Sequence, residues 1–191
     1  MKNLATSLRS AASLLLILTL LLGFVYPLAV MGMAQTFFHH RAEGSLIERG
    51  DRVVGSSLLG QEFSDPKYFW GRLSATTPPY NASASSASNF SPANPKLMDA
   101  VHARIAALQK ADPGNKARIP ADLVTASASG LDPHISLAAA HYQAARVAKG
   151  RGMKEETVKA LVKKYTENPV FGLLGEGYVN VVKLNLALDE K

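Results

Sequence analysis

The stretch LLLILTLLLGFVYPLAV, Leu14–Val30, decides the architecture of this chain, because only one threonine and one tyrosine interrupt its apolar side chains. The segment without charge is longer still and runs from Ala11 to Met33. A helix rises about 1.5 Å per residue, so this segment reaches roughly 35 Å, enough to cross a hydrocarbon layer of roughly 30 Å. We therefore predict a transmembrane helix over residues 11–34.

A cleaved signal peptide is the alternative interpretation of this segment. Its apolar region usually covers only about 7–15 residues and is followed by a small-residue cleavage site. Here the apolar run is longer, and Met31 stands where a small residue is expected. The pattern favours an uncleaved anchor, which Pro27 could kink by removing one backbone donor.

The flanking charges predict the orientation of this helix. Lys2 and Arg9 precede it without any acid, whereas the charges of residues 39–43 are nearly balanced. The positive-inside rule then places residues 1–10 in the cytoplasm and residues 35–191 outside it, with the chain held in the inner (plasma) membrane. A single helix cannot enclose a pore, so any role in transport would require partner chains.

Composition excludes several classes of function. The 191 residues are 47% hydrophobic and 19% charged, which suits one modest domain plus the apolar segment. The absence of cysteine excludes thiol catalysis, thiolate metal sites and disulfides. The net charge is +6, of which Lys2 and Arg9 supply two, so residues after the helix carry +4. That charge is too small and too scattered to indicate nucleic-acid binding.

The remaining chain predicts a mixed α/β (α+β) domain, in which strands are followed by helices. Residues 46–48 and 52–57 read as a hairpin with its turn at 49–51, and residues 76–95 read as a long loop rich in Pro, Ser, Ala and Asn. A short extended run is expected at 123–126. The end of the chain, from Tyr178, fits either a strand or a helix.

Three helices are predicted by their start signals and apolar spacing. Asn94 and Pro95 start the first helix, and Asp132 and Pro133 stand where a cap and a first helical residue would start the second. We therefore expect Asp132 to be a helix cap. The third helix places Val158, Leu161, Val162 and Tyr165 on one face.

The motifs of common enzymes are absent from the sequence. His134 and His141 lie roughly 10.5 Å apart along one predicted helix, which is too far to share a metal ion. No G-x-S-x-G elbow, Walker-type loop or G-x-G-x-x-G motif occurs. We therefore assign no catalytic residue and no metal ligand, and from the residues alone the cofactor stays unknown.

Four long segments carry a resemblance to a known family. They are GSSLLGQEF at 55–63, YFWGR at 68–72, DLVTASASGLDPHIS at 122–136 and LGEGYVNVVKLNLAL at 174–188. Their order and spacing, together with the single apolar helix, closely resemble the C subunit of the Kdp-type potassium-transporting ATPase. The resemblance covers nearly the whole chain.

The resemblance implies a non-catalytic accessory subunit of a high-affinity potassium pump. Its partners would be a channel-like potassium-translocating subunit and a P-type ATPase subunit. Its role would be that of a catalytic chaperone, which raises the ATP affinity of the P-type ATPase subunit. ATP is implied only in this way. The segment 85–89 reads Ser-Ser-Ala-Ser-Asn where the family usually shows Ser-Gly-Gly-Ser-Asn, which disfavours a glycine-rich phosphate loop here.

We expect the external domain to bind protein. The candidate interface residues are Tyr68, Phe69, Trp70, Arg72, Asn89 and His134. For Trp70, burial in the core of its own domain is an equally good interpretation. Two other classes of function remain as alternatives: a carbohydrate- or peptide-binding module that uses the aromatic run, and a hydrolase that uses His134 or His141.

Overall fold

The computed structural model describes residues 2–169, 171–172 and 174–190, which form two compact units that divide between Leu46 and Ile47. The helical unit extends past the predicted boundary at residue 34 because a further short helix follows the apolar one. Its elements are α1 (Lys2–Leu20), a π-helical turn (Leu21–Val25), α2 (Tyr26–Phe37) and α3 (His39–Ala42).

The apolar helix has no packing partner within the described part of its own chain. Side chains from residue 3 to residue 33 are all exposed. The continuous helix Asn3–Phe37 covers 35 residues, and its most apolar window has a mean hydropathy of 2.5. By length and composition it could cross a membrane.

Pro27 changes the helix locally without ending it. The N–H of Tyr26 donates to the carbonyl of Leu21, five residues earlier, which is the π pattern. The next residue, Pro27, has no N–H to donate. The lost donor predicted at Pro27 therefore coincides with a wider helical turn.

The predicted hairpin is confirmed. Strands β1 (Leu46–Arg49) and β2 (Arg52–Ser56) form a two-stranded sheet. Gly50 in the turn has a φ of 62°, a left-handed conformation that glycine adopts without a steric cost.

The first predicted helix of the C-terminal domain is also confirmed. Helix α4 (Pro95–Ala111) begins after Asn94, whose side chain accepts a hydrogen bond from the N–H of Lys96 at 3.0 Å. Leu108 is its only buried residue, so most of α4 lies on the surface.

The extended run expected at 123–126 was predicted wrongly. The structure has a 3-10 turn at Ala121–Leu123, and Ala126 forms an isolated bridge with Leu73. The reason is a tertiary contact, since the carboxylate of Asp122 accepts a hydrogen bond from the N–H of Ser136 at 2.8 Å.

The prediction that Asp132 caps a helix is also wrong. The segment after it forms strand β3 (His134–Ser136), and helix α5 (Leu137–Arg151) starts four residues later than expected. The cap is Ser136, whose hydroxyl accepts from the N–H of Ala139 at 3.0 Å. The strand forms because it pairs with residues more than forty positions later, and nothing near Asp132 signals that pairing.

The last part of the chain completes the sheet. Helix α6 (Glu155–Lys164) buries Val158, Leu161 and Val162 as predicted. It is followed by β4 (Thr166–Glu167), β5 (Tyr178–Asn180) and α7 (Val181–Leu188), so both interpretations of the C-terminal segment hold for part of it. The antiparallel sheet has the order β3-β5-β4, with Ile135 and Thr166 both opposite Val179.

The core of the C-terminal domain lies between this sheet and helices α5, α6 and α7. Fully buried side chains include Leu108, Ile135, Val147, Val162 and Leu184. The predicted combination of a mixed α/β fold with one apolar N-terminal helix is therefore confirmed.

Candidate functional site

The aromatic residues predicted to form an interface belong to the core of their own domain. Phe69 is 0% exposed and Trp70 is 6% exposed. The prediction that these two side chains anchor a partner is thus corrected, because no surface of either remains to be covered. The core interpretation of Trp70 is the right one.

Two side-chain amides hold this aromatic segment in place. Asn185 accepts a hydrogen bond from the N–H of Phe69 and donates to its carbonyl, both at 2.9 Å. Gln143 does the same for Trp70, at 2.8 and 3.1 Å. The amides, from α7 and α5, replace the neighbouring strand that this extended segment lacks.

Two arginines enclose the ring of Trp70. The guanidinium carbons of Arg104 and Arg146 lie 5.0 and 4.8 Å from the ring centroid, a cation–π arrangement. Arg146 also donates to Gln143 at 2.7 Å and to the carbonyl of Pro66. Burial lowers the pKa of Arg146 to about 10, so the side chain stays charged at neutral pH.

Tyr68 lies at the edge of this core and is half-buried. Its hydroxyl donates to Asp189 at 3.1 Å, and the guanidinium of Arg151 lies 4.8 Å from its ring centroid. Arg151 also donates to Asp189, at 2.7 Å. Tyr68 therefore fixes the end of α7 and keeps part of its ring accessible.

Arg72, Asp132 and His134 form one cluster. The Nη1 of Arg72 lies 3.1 Å from one carboxylate oxygen of Asp132, and the Nδ1 of His134 lies 3.1 Å from the other. Burial alone raises the pKa of Asp132, but the hydrogen bonds from His134 and Arg72 outweigh it, so the net pKa is lowered. Asp132 thus links the loop to β3 as an ionised carboxylate.

His134 also contacts strand β5. Its ring packs edge-on against Tyr178 with a centroid distance of 4.6 Å, and its Nε2 lies 3.5 Å from the Nδ2 of Asn180. These contacts give His134 a structural place in the sheet.

Tyr80 fixes the first half of the long loop. Its hydroxyl donates to the carbonyl of Arg72 at 2.6 Å, and burial raises its pKa to about 12. A Cβ atom at Gly60 would lie 2.3 Å from the Tyr80 ring, and one at Gly71 would lie 2.8 Å from the hydroxyl. The side chain therefore fits only because both neighbours are glycines.

Asn89 is the exposed member of the predicted interface set. Next to it, Phe90 is 37% exposed and borders a groove of about 660 Å³ between the loop and α4. The groove is lined by small apolar residues, among them Ala87, Ala100, Ala103 and Ala107.

Most of the donors near the loop are already engaged within the domain, which disfavours nucleotide binding there. Phosphate binding needs several free donors. The N–H of Ser86 donates to Ser129 at 3.1 Å, and Arg104 donates to the carbonyls of Leu123 and Gly71 at 3.0 and 2.8 Å. The cavity that Arg72 and Arg104 border together measures about 240 Å³, and the larger groove that Arg104 also lines has mainly small apolar walls.

A metal site requires ligand side chains that converge on one point. Within residues 2–169, 171–172 and 174–190, no group of three His, Asp or Glu side chains converges. His141 is exposed on α5, apart from the cluster around His134.

Comparison with known proteins agrees with the resemblance carried by the four segments. The family model "KdpC: K+-transporting ATPase, c chain" matches residues 8–190. A potassium-transporting ATPase KdpC subunit of Polaromonas naphthalenivorans is 63% identical over 190 residues, covering 99% of this chain and 95% of the relative. Those of Variovorax paradoxus and Dechloromonas aromatica are 62% and 60% identical, covering 95% and 96% of this chain and 94% and 97% of the relatives. The chain therefore belongs to the KdpC family, the c chain of K+-transporting ATPases, and is a subunit of such a complex rather than its catalytic subunit.

Proposed function

We propose that this chain is a membrane-anchored accessory subunit that assembles and stabilises a high-affinity, ATP-driven potassium import complex. The observation that carries the proposal is the exposed helix Asn3–Phe37, which finds no packing partner among the described residues of its own chain. In the proposal, this helix crosses the membrane and lies beside other subunits. A channel-like potassium-translocating subunit and a P-type ATPase subunit are the proposed partners.

The names of the relatives support this proposal. Each of the three is called a potassium-transporting ATPase subunit, and each matches almost end to end. Lys2 and Arg9 before the apolar run support an orientation with residues 1–10 in the cytoplasm and 35–191 outside it.

We further propose that the subunit raises the ATP affinity of the ATP-hydrolysing partner by coupling through the complex. In the proposed orientation, the external domain and cytoplasmic ATP lie on opposite sides of the membrane. The N–H of Ser86 and the guanidinium of Arg104 already donate to backbone carbonyls of this domain, which also argues against direct nucleotide contact. A coupling free energy of about 1–3 kcal/mol between distant sites is ordinary for allosteric proteins.

The groove beside Asn89 and Phe90 is the docking surface we propose for the external domain. Helix α4 buries only Leu108 in its own fold and exposes Ala103 and Ala107 to this groove. Because the side chains that line the groove are small, an apolar side chain of a partner can pack closely against its backbone. Its proposed occupant is an apolar segment on the external face of the potassium-translocating subunit.

Co-purification tests the proposal directly. The full chain carries an affinity tag and is expressed with its chromosomal partners, then extracted in mild detergent. A pump subunit is expected to bring two larger membrane proteins with it. Recovery of the chain alone would instead favour an extracytoplasmic binding module or a hydrolase.

A further inference from the structure

Three residues leave polar groups, one side-chain hydroxyl and backbone carbonyls, near the middle of the apolar helix. Thr19, Gly23 and Pro27 follow one another at intervals of four, and the centre of the uncharged segment Ala11–Met33 lies at residue 22. Residues four apart are neighbours on a helix surface, so these three share one face. They surround the π-helical turn at Leu21–Val25.

The helical pattern leaves one or both of the carbonyls of Leu22 and Gly23 without a backbone donor. In the π pattern of the turn, where Tyr26 donates to Leu21, residue 27 would donate to Leu22. In the α pattern it would donate to Gly23. Because Pro27 has no N–H, it supplies neither carbonyl. Gly23 has no side chain to cover them, and the nearest side-chain atom to its missing Cβ is the Cγ2 of Thr19, 4.0 Å away.

The hydroxyl of Thr19 is a second unpaired group. Elsewhere on the same helix, Ser7 and Thr36 donate to the carbonyls of Asn3 and Gly32, four residues earlier, at 2.8 and 2.7 Å. Among the described residues, Thr19 makes no hydrogen bond of this kind. A free donor therefore lies one turn before the carbonyls that lack one.

The bilayer makes this arrangement costly unless another chain satisfies it. Hydrocarbon contains no water to bond a free carbonyl or hydroxyl, and proline is tolerated in membrane helices because neighbouring helices supply the missing partners. We propose that the face Thr19–Gly23–Pro27 docks a transmembrane helix of another pump subunit. That helix carries a hydroxyl or carboxamide side chain, which donates to the carbonyl of Leu22 or Gly23 and accepts from Thr19.

A second copy of this chain fits the face less well. Two copies inserted in the same orientation place equal residues at equal depth. The Thr19 hydroxyl of one copy would then lie roughly 4.5–6 Å along the axis from the unpaired carbonyls of the other. A different helix has no such constraint. The inference rests on the proposed function, because it requires a membrane-inserted complex.

The test uses the full chain in the complex, purified through a tag on this chain. Thr19→Val removes the hydroxyl at constant shape, and Gly23→Leu covers the carbonyls. The half-life of partner retention is measured after transfer to a harsher detergent. Interhelical hydrogen bonds in membranes are modest, so we expect each change to speed loss of the partner by about threefold to tenfold. Thr19→Ser, which keeps the hydroxyl, should restore retention.

Matched controls come from the same helix. Thr36→Val removes a hydroxyl already bonded to Gly32, and Gly32→Leu enlarges a glycine with nothing within 4 Å. Neither should change the half-life. If the wild-type chain retains its partners and Thr19→Val and Gly23→Leu match the controls, the inference is wrong. If the wild-type chain retains no partner at all, the proposed function fails instead.

A second measurement identifies the occupant. The chain has no cysteine, so Thr19→Cys provides one attachment point for a photoreactive reagent. An adduct with another subunit of the pump supports the inference. An adduct only with a second copy of this chain contradicts it.

Discussion

Asn185 and Gln143 show how single polar residues set the position of the aromatic core. Each satisfies both backbone groups of one residue in the extended segment, Phe69 or Trp70, inside the buried core. A buried backbone group left unpaired costs about 1–3 kcal/mol. These amides therefore explain why an aromatic run without a neighbouring strand can lie in the core.

We predict that Asn185→Leu lowers the free energy of unfolding by about 2–5 kcal/mol, because it leaves the N–H and the carbonyl of Phe69 unpaired. Urea unfolding of the full chain in detergent, followed by fluorescence of the single Trp70, measures the change. Gln109→Leu, at an exposed amide on α4, is the matched control on the surface and should shift it by less than about 0.5 kcal/mol. Equal effects at both positions would show that the buried pairing is not what stabilises the segment.

Asp132 makes the stability of the domain depend on acid pH. Its pKa in the folded protein is lowered by the hydrogen bonds of His134 and Arg72, which outweigh the effect of burial. A lowered folded pKa gives a stabilisation that is fully present above the unfolded value of about 3.9 and is lost as pH falls through the folded value. We predict that Asp132→Asn is less stable than the wild type at pH 6 and that the difference shrinks towards pH 3.

Urea unfolding of both proteins across this pH range provides the check. A difference between them that stays constant with pH would mean that the carboxylate charge of Asp132 contributes nothing.

At the scale of elements, the orientation of the apolar helix follows from Lys2 and Arg9. We predict that a reporter active only outside the cytoplasm works when fused after residue 191, because residues 35–191 are expected there. A reporter that works only in the cytoplasm, fused at the same point, should be silent. Activity of the cytoplasmic reporter would reverse the orientation.

Helix α4 provides a test of the proposed docking surface. Ala103→Arg puts a long charged side chain into the groove beside Phe90, so we predict loss of the partner subunits from a chain that still folds. Ala106→Arg lies on the same helix at an exposed position outside the groove lining and should leave co-purification unchanged. Equal retention with both variants would exclude the groove as the contact.

Local signals explain which elements could be predicted from the sequence. The apolar run at Leu14–Val30, the start of α4 at Asn94 and the apolar face of α6 each depend on residues close to one another in the chain. The failures involve contacts between distant segments. Ser136, rather than Asp132, caps α5 because β3 pairs with β5, and Trp70 is buried because Gln143, 73 residues away, bonds its backbone.

The prediction that Phe69 and Trp70 contact a partner failed for a related reason. An aromatic run on a loop has the composition of a binding site, and only burial distinguishes it from a core segment. The sequence did contain a signal of this burial, because Gln143 and Asn185 interrupt otherwise apolar helix faces. A buried side-chain amide needs hydrogen-bond partners, and a backbone segment in the core can supply them.

At the scale of the whole molecule, the apolar helix and the C-terminal domain have separate roles in the proposal. The helix would anchor the chain beside its partners in the membrane. The domain would bind the potassium-translocating subunit through the loop at 76–95 and α4. ATP would bind elsewhere in the complex, since the N–H of Ser86 and the Nε and Nη2 of Arg104 already donate within the domain and Arg72 is paired with Asp132.

The measurement that tests this account most directly is an ATP titration of potassium-stimulated hydrolysis, with the purified complex prepared with and without this chain. We predict that the complex without the chain has a KM for ATP about 5- to 150-fold higher, the range of an ordinary allosteric coupling, and that adding back the full chain restores it. The same KM in both preparations, with potassium stimulation intact, would contradict the claim that this subunit raises ATP affinity through the complex.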